Sequence, residues 1–203
     1  MYDLNIDGMD AIEILSELFG LKDFCVVFSE KGAEYDRKKK TIFIPDRYEN
    51  WKQIMGLAHE IMHHKQHIEK RLIDGLDLEE YALYGALIEK DERFLWLQRI
   101  EPDEIEANAF CALFINKVYE FFYKHGAITK STYNKMLKQT EDILAVTEAL
   151  EGSEGKLLEI KSKEKAEHKR LDAEYGEKIM ELLAKRLIVP YEERMQIVKV
   201  ICK

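Results

Sequence analysis

Apolar residues first fall on one helical face between residues 11 and 19. Ile12, Leu15, Leu18 and Phe19 form that face, with Asp10 placed to cap its start and Gly20 to end it. Two short runs rich in β-branched and aromatic residues follow, at 24–28 and 41–44. The stretch between them carries Gly32 and many charges and reads as a turn. The two runs therefore predict a small antiparallel hairpin, closed by Pro45. From Asn50 onward the spacing is helical. Asn50 with Gln53 matches a capping box, and the helix is predicted to run from 51 to about 72, where Gly75 breaks it. A second helix is predicted over 78–90, with 94–97 continuing it or folding separately. Pro102 suits the first position of the next helix, with Glu101 near its cap and Gly126 beyond its end. That helix carries core-type residues: Phe110, Leu113, Phe114, Val118, Phe121 and Phe122. Ser131 is placed to cap one more, to about residue 150.

The pattern changes at 151–155, EGSEG. Residues 161–170 hold a single apolar residue, so they cannot bury a stripe and predict a solvated helix. Apolar residues return at Ile179, Leu182, Leu183 and Leu187, before a short segment after Pro190. Charge divides at the same place. Residues 151–203 carry 12 basic and 11 acidic side chains, and residues 1–150 carry 19 and 28. The expected organisation is a domain over 1–150 and a helical C-terminal extension over 151–203. The expected fold class is α+β, mostly α, with a small antiparallel sheet packed on a helical core.

Composition narrows the function. The chain has 203 residues and a formal net charge of -8. An acidic balance argues against direct nucleic-acid binding, which needs a basic footprint. No apolar run reaches about 18 residues, so no membrane span is expected. The acidic N-terminus, MYDLNIDGMD, does not look like a signal peptide, and the expected location is the cytoplasm. Three cysteines, Cys25, Cys111 and Cys202, are too scattered for a disulfide framework.

Histidine is unevenly spread. Four of the six (His59, His63, His64 and His67) fall within nine residues. His59-Glu60-Ile61-Met62-His63 is an HExxH motif. Histidines at i and i+4 share a helix face, so both imidazoles can reach one tetrahedral metal. The glutamate after the first histidine is then placed as general base toward a water that the metal activates. His67 continues the stripe but lies about 12 Å along the helix from His59, too far to share a metal. His67 is expected at a cleft rim or in solvent, and His64 off the stripe. Gly56, Leu57 and Ala58 are small or apolar and let the helix pack closely.

A catalytic zinc site needs a third protein ligand and an open position. A metzincin would have glycine at 66 and histidine at 69; here stand Gln66 and Glu69. The third ligand is therefore expected from the acidic start of the helix at 102. Glu104, Ala107, Asn108 and Cys111 share one face of it, whereas Glu106 projects elsewhere. Glu104 is the expected ligand, Ala107 leaves room for the facing helix, and Asn108 is placed to hydrogen-bond a ligand imidazole. Glu101 and Asp103 are read as favourable charges at a helix N-terminus. Tyr81 and Tyr84 are candidate oxyanion stabilisers, and strand 41–44 is a candidate edge for an extended substrate.

HEIMH followed by EIEANAFCA resembles the ImmA/IrrE family of metallopeptidases, whose pattern is HExxH and then E-x-x-A-N-x-F-A. Glu104, Ala107, Asn108 and Phe110 match the second motif, and the likeness covers about residues 10–125. Met62 stands where the family usually has glycine, and Cys111 where it usually has alanine. The resemblance implies a gluzincin-like peptidase on a zincin-like helical core. It would use Zn²⁺, with Mn²⁺ as the other metal to consider, and cleave a helix-turn-helix transcriptional repressor in a mobile element or stress response. The competing expectation is a catalytically inactive zincin scaffold that binds a partner through its C-terminal helix. Neither reading fixes the oligomeric state.

Overall fold

The computed structural model describes residues 5–30, 32–69, 101–143 and 154–188. In chain order these form α1 (Gly8–Phe19), β1 (Cys25–Ser29), β2 (Glu34–Asp36) and β3 (Thr41–Pro45). Then come α2 (Asn50–Ile68), α3 (Pro102–Lys124), α4 (Lys130–Ile143) and α5 (Glu154–Leu187). The class is α+β and mostly α, as expected. The helices predicted over 78–90 and 94–97, with Tyr81 and Tyr84, lie outside the described residues, as does the segment after Pro190. No helix among the described residues is long and apolar enough to cross a membrane.

Three caps differ from expectation. The N-cap of α1 is Asp7, and Asp10 is its capping-box partner. The Asp10 backbone N–H donates to the Asp7 carboxylate at 2.9 Å, and the Asp7 N–H donates back at 3.3 Å. The two aspartates are three apart, so either could have served, and the helix takes the extra turn. Gly20 ends α1 in the left-handed region, at φ 66°. At α2, Glu49 occupies the N-cap without a side-chain bond. Asn50 instead donates to the Ile6 carbonyl at 2.6 Å, tying the helix to the segment before α1. Pro102 is the first residue of α3 after Glu101, as predicted. At α4 the Thr129 hydroxyl accepts from the Thr132 N–H at 3.1 Å, so Thr129 caps, and Ser131 lies inside the helix.

The sheet is mixed, not an antiparallel hairpin of the two apolar runs. Its order is β1-β3-β2. β1 runs parallel to β3, pairing Cys25 with Thr41 and Phe28 with Ile44. The hairpin is β2–β3, pairing Tyr35 with Ile42 and Asp36 with Thr41. Its tight turn is set by Asp36, whose carboxylate accepts the Lys38 and Lys39 N–H groups, both at 3.0 Å, with Lys40 at φ 48°. With the antiparallel neighbour supplied locally by β2, β1 can reach β3 only from the other side. β3 is thus the middle strand, and among the described residues the free sheet edges belong to β1 and β2. That corrects the expectation of a substrate-binding edge at 41–44.

One core joins these parts. Ile42 and Ile44 of β3 are buried beneath α2. A Cβ at Gly56 would come within 3.2 Å of Ile44 Cδ1, so a glycine there lets α2 lie close on the sheet. Phe110 of α3, Phe19 of α1 and Tyr175 of α5 pack as a ring trio with centroids 5.0–6.2 Å apart. The charged stretch of α5 at 161–170 is largely solvated, as expected. Beyond it, Leu171, Ile179, Leu182, Leu183 and Leu187 enter the same core as α1 and α3. Ion pairs fasten that half: Arg186 to Asp10 at 2.8 Å and to Glu13 at 2.7 Å, and Lys117 to Asp172 at 2.8 Å.

A pair of truncations checks this placement of α5. Leu171 is 0% exposed and Leu158 on the same helix is 69% exposed. Leu171→Ala is expected to cost about 2–5 kcal/mol of unfolding free energy in a denaturant titration. Leu158→Ala is expected to stay within about 0.5 kcal/mol of the parent. Equal effects would show that α5 does not share the core.

Candidate metal centre

α2 carries His59, Glu60 and His63 toward α3, and α3 presents Glu104. The approach of the helices is close. Ala58 and Ala107 are fully buried, and the Cys111 thiol donates to the Met55 carbonyl at 3.4 Å across the gap. Burial pushes the Cys111 thiol up to about 12, so it stays a neutral packing group.

Four atoms then converge. His59 Nε2 and His63 Nε2 are 3.1 Å apart. The Glu104 carboxylate lies 3.5 Å from the first and 3.3 Å from the second. Ligands at zinc distances of 2.0–2.1 Å in a tetrahedron are separated by about 3.3 Å. The three side chains fit a metal by donor chemistry and by spacing, and they form the one such group among the described residues. His67 and His64 are not part of it.

Burial pulls the His63 imidazole down, but the hydrogen bond and charge of Glu104 outweigh it and push His63 up to about 9. Burial would raise Glu104, but its bonds to His59 and His63 hold it well below the usual carboxylate range. Glu60 is buried beside them. Desolvation raises its carboxyl, and the two imidazoles offset only part of that. Glu101 was read as a helix-terminus charge. Burial, with Asp103 and Glu104 nearby, pushes it up to about 7.

The far side of His63 is occupied by Gln66. His63 Nδ1 lies 2.8 Å from Gln66 Oε1, and Gln66 Nε2 lies 2.9 Å from Glu106. Asn108 is half-buried on α3, and among the described residues it bonds neither imidazole. Gln66 and Glu106 were missed as supports. Gln66 sits one helical turn after His63, which was a usable signal. Glu106 was set aside for projecting from another face, and that face meets Gln66.

A second cluster lies on the other side of α2. The Tyr35 hydroxyl bridges His64 Nδ1 at 2.7 Å and His67 Nδ1 at 2.8 Å. One hydroxyl can donate to one ring and accept from the other. Burial lowers His64 to about 4, so it is neutral at pH 7 and ties β2 to α2. His67 is therefore fixed by Tyr35 at this junction.

Comparisons with protein families, characterised proteins and solved structures give no match. The resemblance to ImmA/IrrE rests on the two motifs quoted above.

The protonation states set a pH dependence. His63 has its pKa raised in the fold from 6.5 to about 9, so its contribution to metal-free stability is full below 6.5 and lost as pH rises through about 9. Glu104 is lowered from 4.5, so its contribution is present above 4.5 and lost on further acidification. A metal must displace the His63 proton below about pH 9. The melting-temperature gain on adding Zn²⁺ to chelator-treated protein is therefore expected to be larger at pH 8.5 than at pH 6. Scanning fluorimetry with and without metal reads this directly, and a pH-independent gain would contradict it.

Proposed function

We propose that the chain is a zinc-dependent endopeptidase that hydrolyses a peptide bond in a regulatory protein. The observation that carries this reading is the convergence of His59, His63 and Glu104 at metal-ligand spacing with a buried glutamate, Glu60, in the same helical turn. The two-histidine, one-carboxylate donor set suits Zn²⁺, with Mn²⁺ as the alternative metal. The motif resemblance to ImmA/IrrE supports a helix-turn-helix transcriptional repressor as the substrate and the cytoplasm as the place of action.

A bound zinc ion supplies Lewis-acid polarisation of the scissile carbonyl and makes water acidic enough to lose a proton near neutral pH. The chain supplies the proton acceptor. Glu60 takes a proton from the attacking water as its oxygen bonds to the carbonyl carbon. It returns that proton to the leaving amine as the C–N bond breaks. Burial equips Glu60 for both steps, because a raised carboxyl gives and takes a proton nearer neutrality. Gln66 and the α2–α3 contact hold the histidines still while this happens.

The exposed, charged face of α5 at 161–170 favours one second reading, a catalytically inactive scaffold that binds a partner through this helix. Glu60→Gln separates the two. With zinc content unchanged, cleavage of a repressor encoded beside this protein is expected to fall by about 10²–10⁴-fold, the usual range for loss of a general base. Equal cleavage by both proteins would sink the mechanism. A biological effect that survives Glu60→Gln but is lost on charge reversal along 161–170 would favour the scaffold.

A further inference from the structure

We propose that Gln66, Glu106 and Arg170 form a positioning relay that locks the His63 imidazole from behind and makes helix α5 a working part of the metal centre. The inference deepens the metal-centre reading above and rests on it.

The relay starts from an amide whose orientation is forced. Gln66 is 1% exposed. Its Nε2 donates to the Asp103 carbonyl at 3.0 Å and to Glu106 Oε2 at 2.9 Å. Both partners are acceptors, so the opposite amide orientation would set oxygen against oxygen twice. The carbonyl Oε1 is left facing His63 Nδ1 at 2.8 Å. An amide oxygen only accepts, so His63 Nδ1 carries the hydrogen. In the neutral ring the lone pair is then on Nε2, the atom that faces His59 and Glu104. Two acceptors on the back of Gln66 therefore select the metal-binding tautomer of His63.

The relay does not stop at α3. Glu106 is 6% exposed, and a carboxylate buried two residues from another one needs a counter-charge. Arg170 supplies it, with its NH2 nitrogen 2.8 Å from Glu106 Oε1. Arg170 is itself steered by neighbours on α5, since its Nε donates to Glu167 at 2.8 Å and NH1 donates to Glu174 at 2.7 Å. A guanidinium so held fixes Glu106, which fixes Gln66, which fixes His63. Arg170 is a positioning residue and touches no reacting atom.

Zinc affinity by chelator competition tests the relay, with the absorption of the Co²⁺-substituted protein as a spectroscopic report on ligand geometry. Neither readout needs a substrate. Gln66→Met is expected to weaken zinc binding about 10–100-fold, the usual effect of removing a partner behind a metal-bound imidazole. Arg170→Gln lies at a partly exposed position, so it keeps the test open if Gln66→Met fails to fold. It is expected to weaken binding by about 3–10-fold and to shift the Co²⁺ bands in the same sense, with Arg170→Lys recovering most of the loss. Lys163→Gln removes an exposed pair with Glu159 elsewhere on α5 and is expected to leave affinity and spectrum unchanged. The double variant Gln66→Met/Arg170→Gln is expected to be no weaker than Gln66→Met alone, because the two act in series. Unchanged affinity and bands in Arg170→Gln, or additive losses in the double variant, would overturn the relay while leaving a zinc site intact. Parent protein that binds no zinc would overturn the metal centre and the relay together. A protein that binds zinc and cleaves nothing would fail the peptidase reading alone, and the same affinities would still decide the relay.

Discussion

The centre depends on how closely α2 and α3 can approach each other. Glu104 is 45 positions from His59 in sequence, yet its carboxylate must come within a ligand–ligand distance of two imidazoles. Small residues at the contact make that possible. Ala58 and Ala107 are fully buried, and the Cys111 thiol reaches a backbone carbonyl of α2. Gly56 lets the other side of α2 press onto Ile44 of the sheet. A larger side chain at any of these points would push the helices apart by a methyl group or more, in an interior with little slack. The sheet, three strands among the described residues, is the anvil against which α2 is held.

Much of this was legible in the sequence because it is local. The i, i+4 spacing of His59 and His63 survives any detail of packing, and Pro102 marks the start of α3 whatever its neighbours do. Glu104 was legible one step further out, since a helix face can be computed from its own residues. Asp7 against Asp10 was not decidable, because two aspartates three apart satisfy the same rule. β2 was hidden for a different reason. Glu34, Tyr35 and Asp36 show no apolar alternation, and the strand exists because the Asp36 turn folds it onto β3. Missing β2 turned the sheet from mixed to antiparallel and made its central strand look like an edge.

Arg170 marks the limit of local inference. It lies 64 positions from Glu106, in a stretch with one apolar residue in ten. By periodicity that stretch is a solvated helix, and most of it is. Its docking comes from the residues that follow, Leu171 onward, which bury themselves against α1 and α3 and carry the charged segment into register. A hydrophobic anchor at one end of a helix thus places a polar contact at the other. No window centred on the polar contact contains the information.

The carboxylates around the centre show why such a distant cation matters. Glu60, Glu104 and Glu106 are crowded into the α2–α3 contact, and carboxylates brought together out of water cannot all remain charged without partners. The fold gives each a different answer. Glu104 is held ionised by two imidazoles, and a metal bound there would take over that role. Glu106 has the Arg170 guanidinium. Glu60 has only the partial help of the same imidazoles, and desolvation wins. Arg170 pairs with Glu106 on the side of Gln66 away from the imidazoles. Both stay turned toward Glu104, and Glu60 keeps the raised carboxyl that a proton carrier needs. The raised Glu60 carboxyl therefore follows from its own burial, while the Arg170 guanidinium serves Glu106.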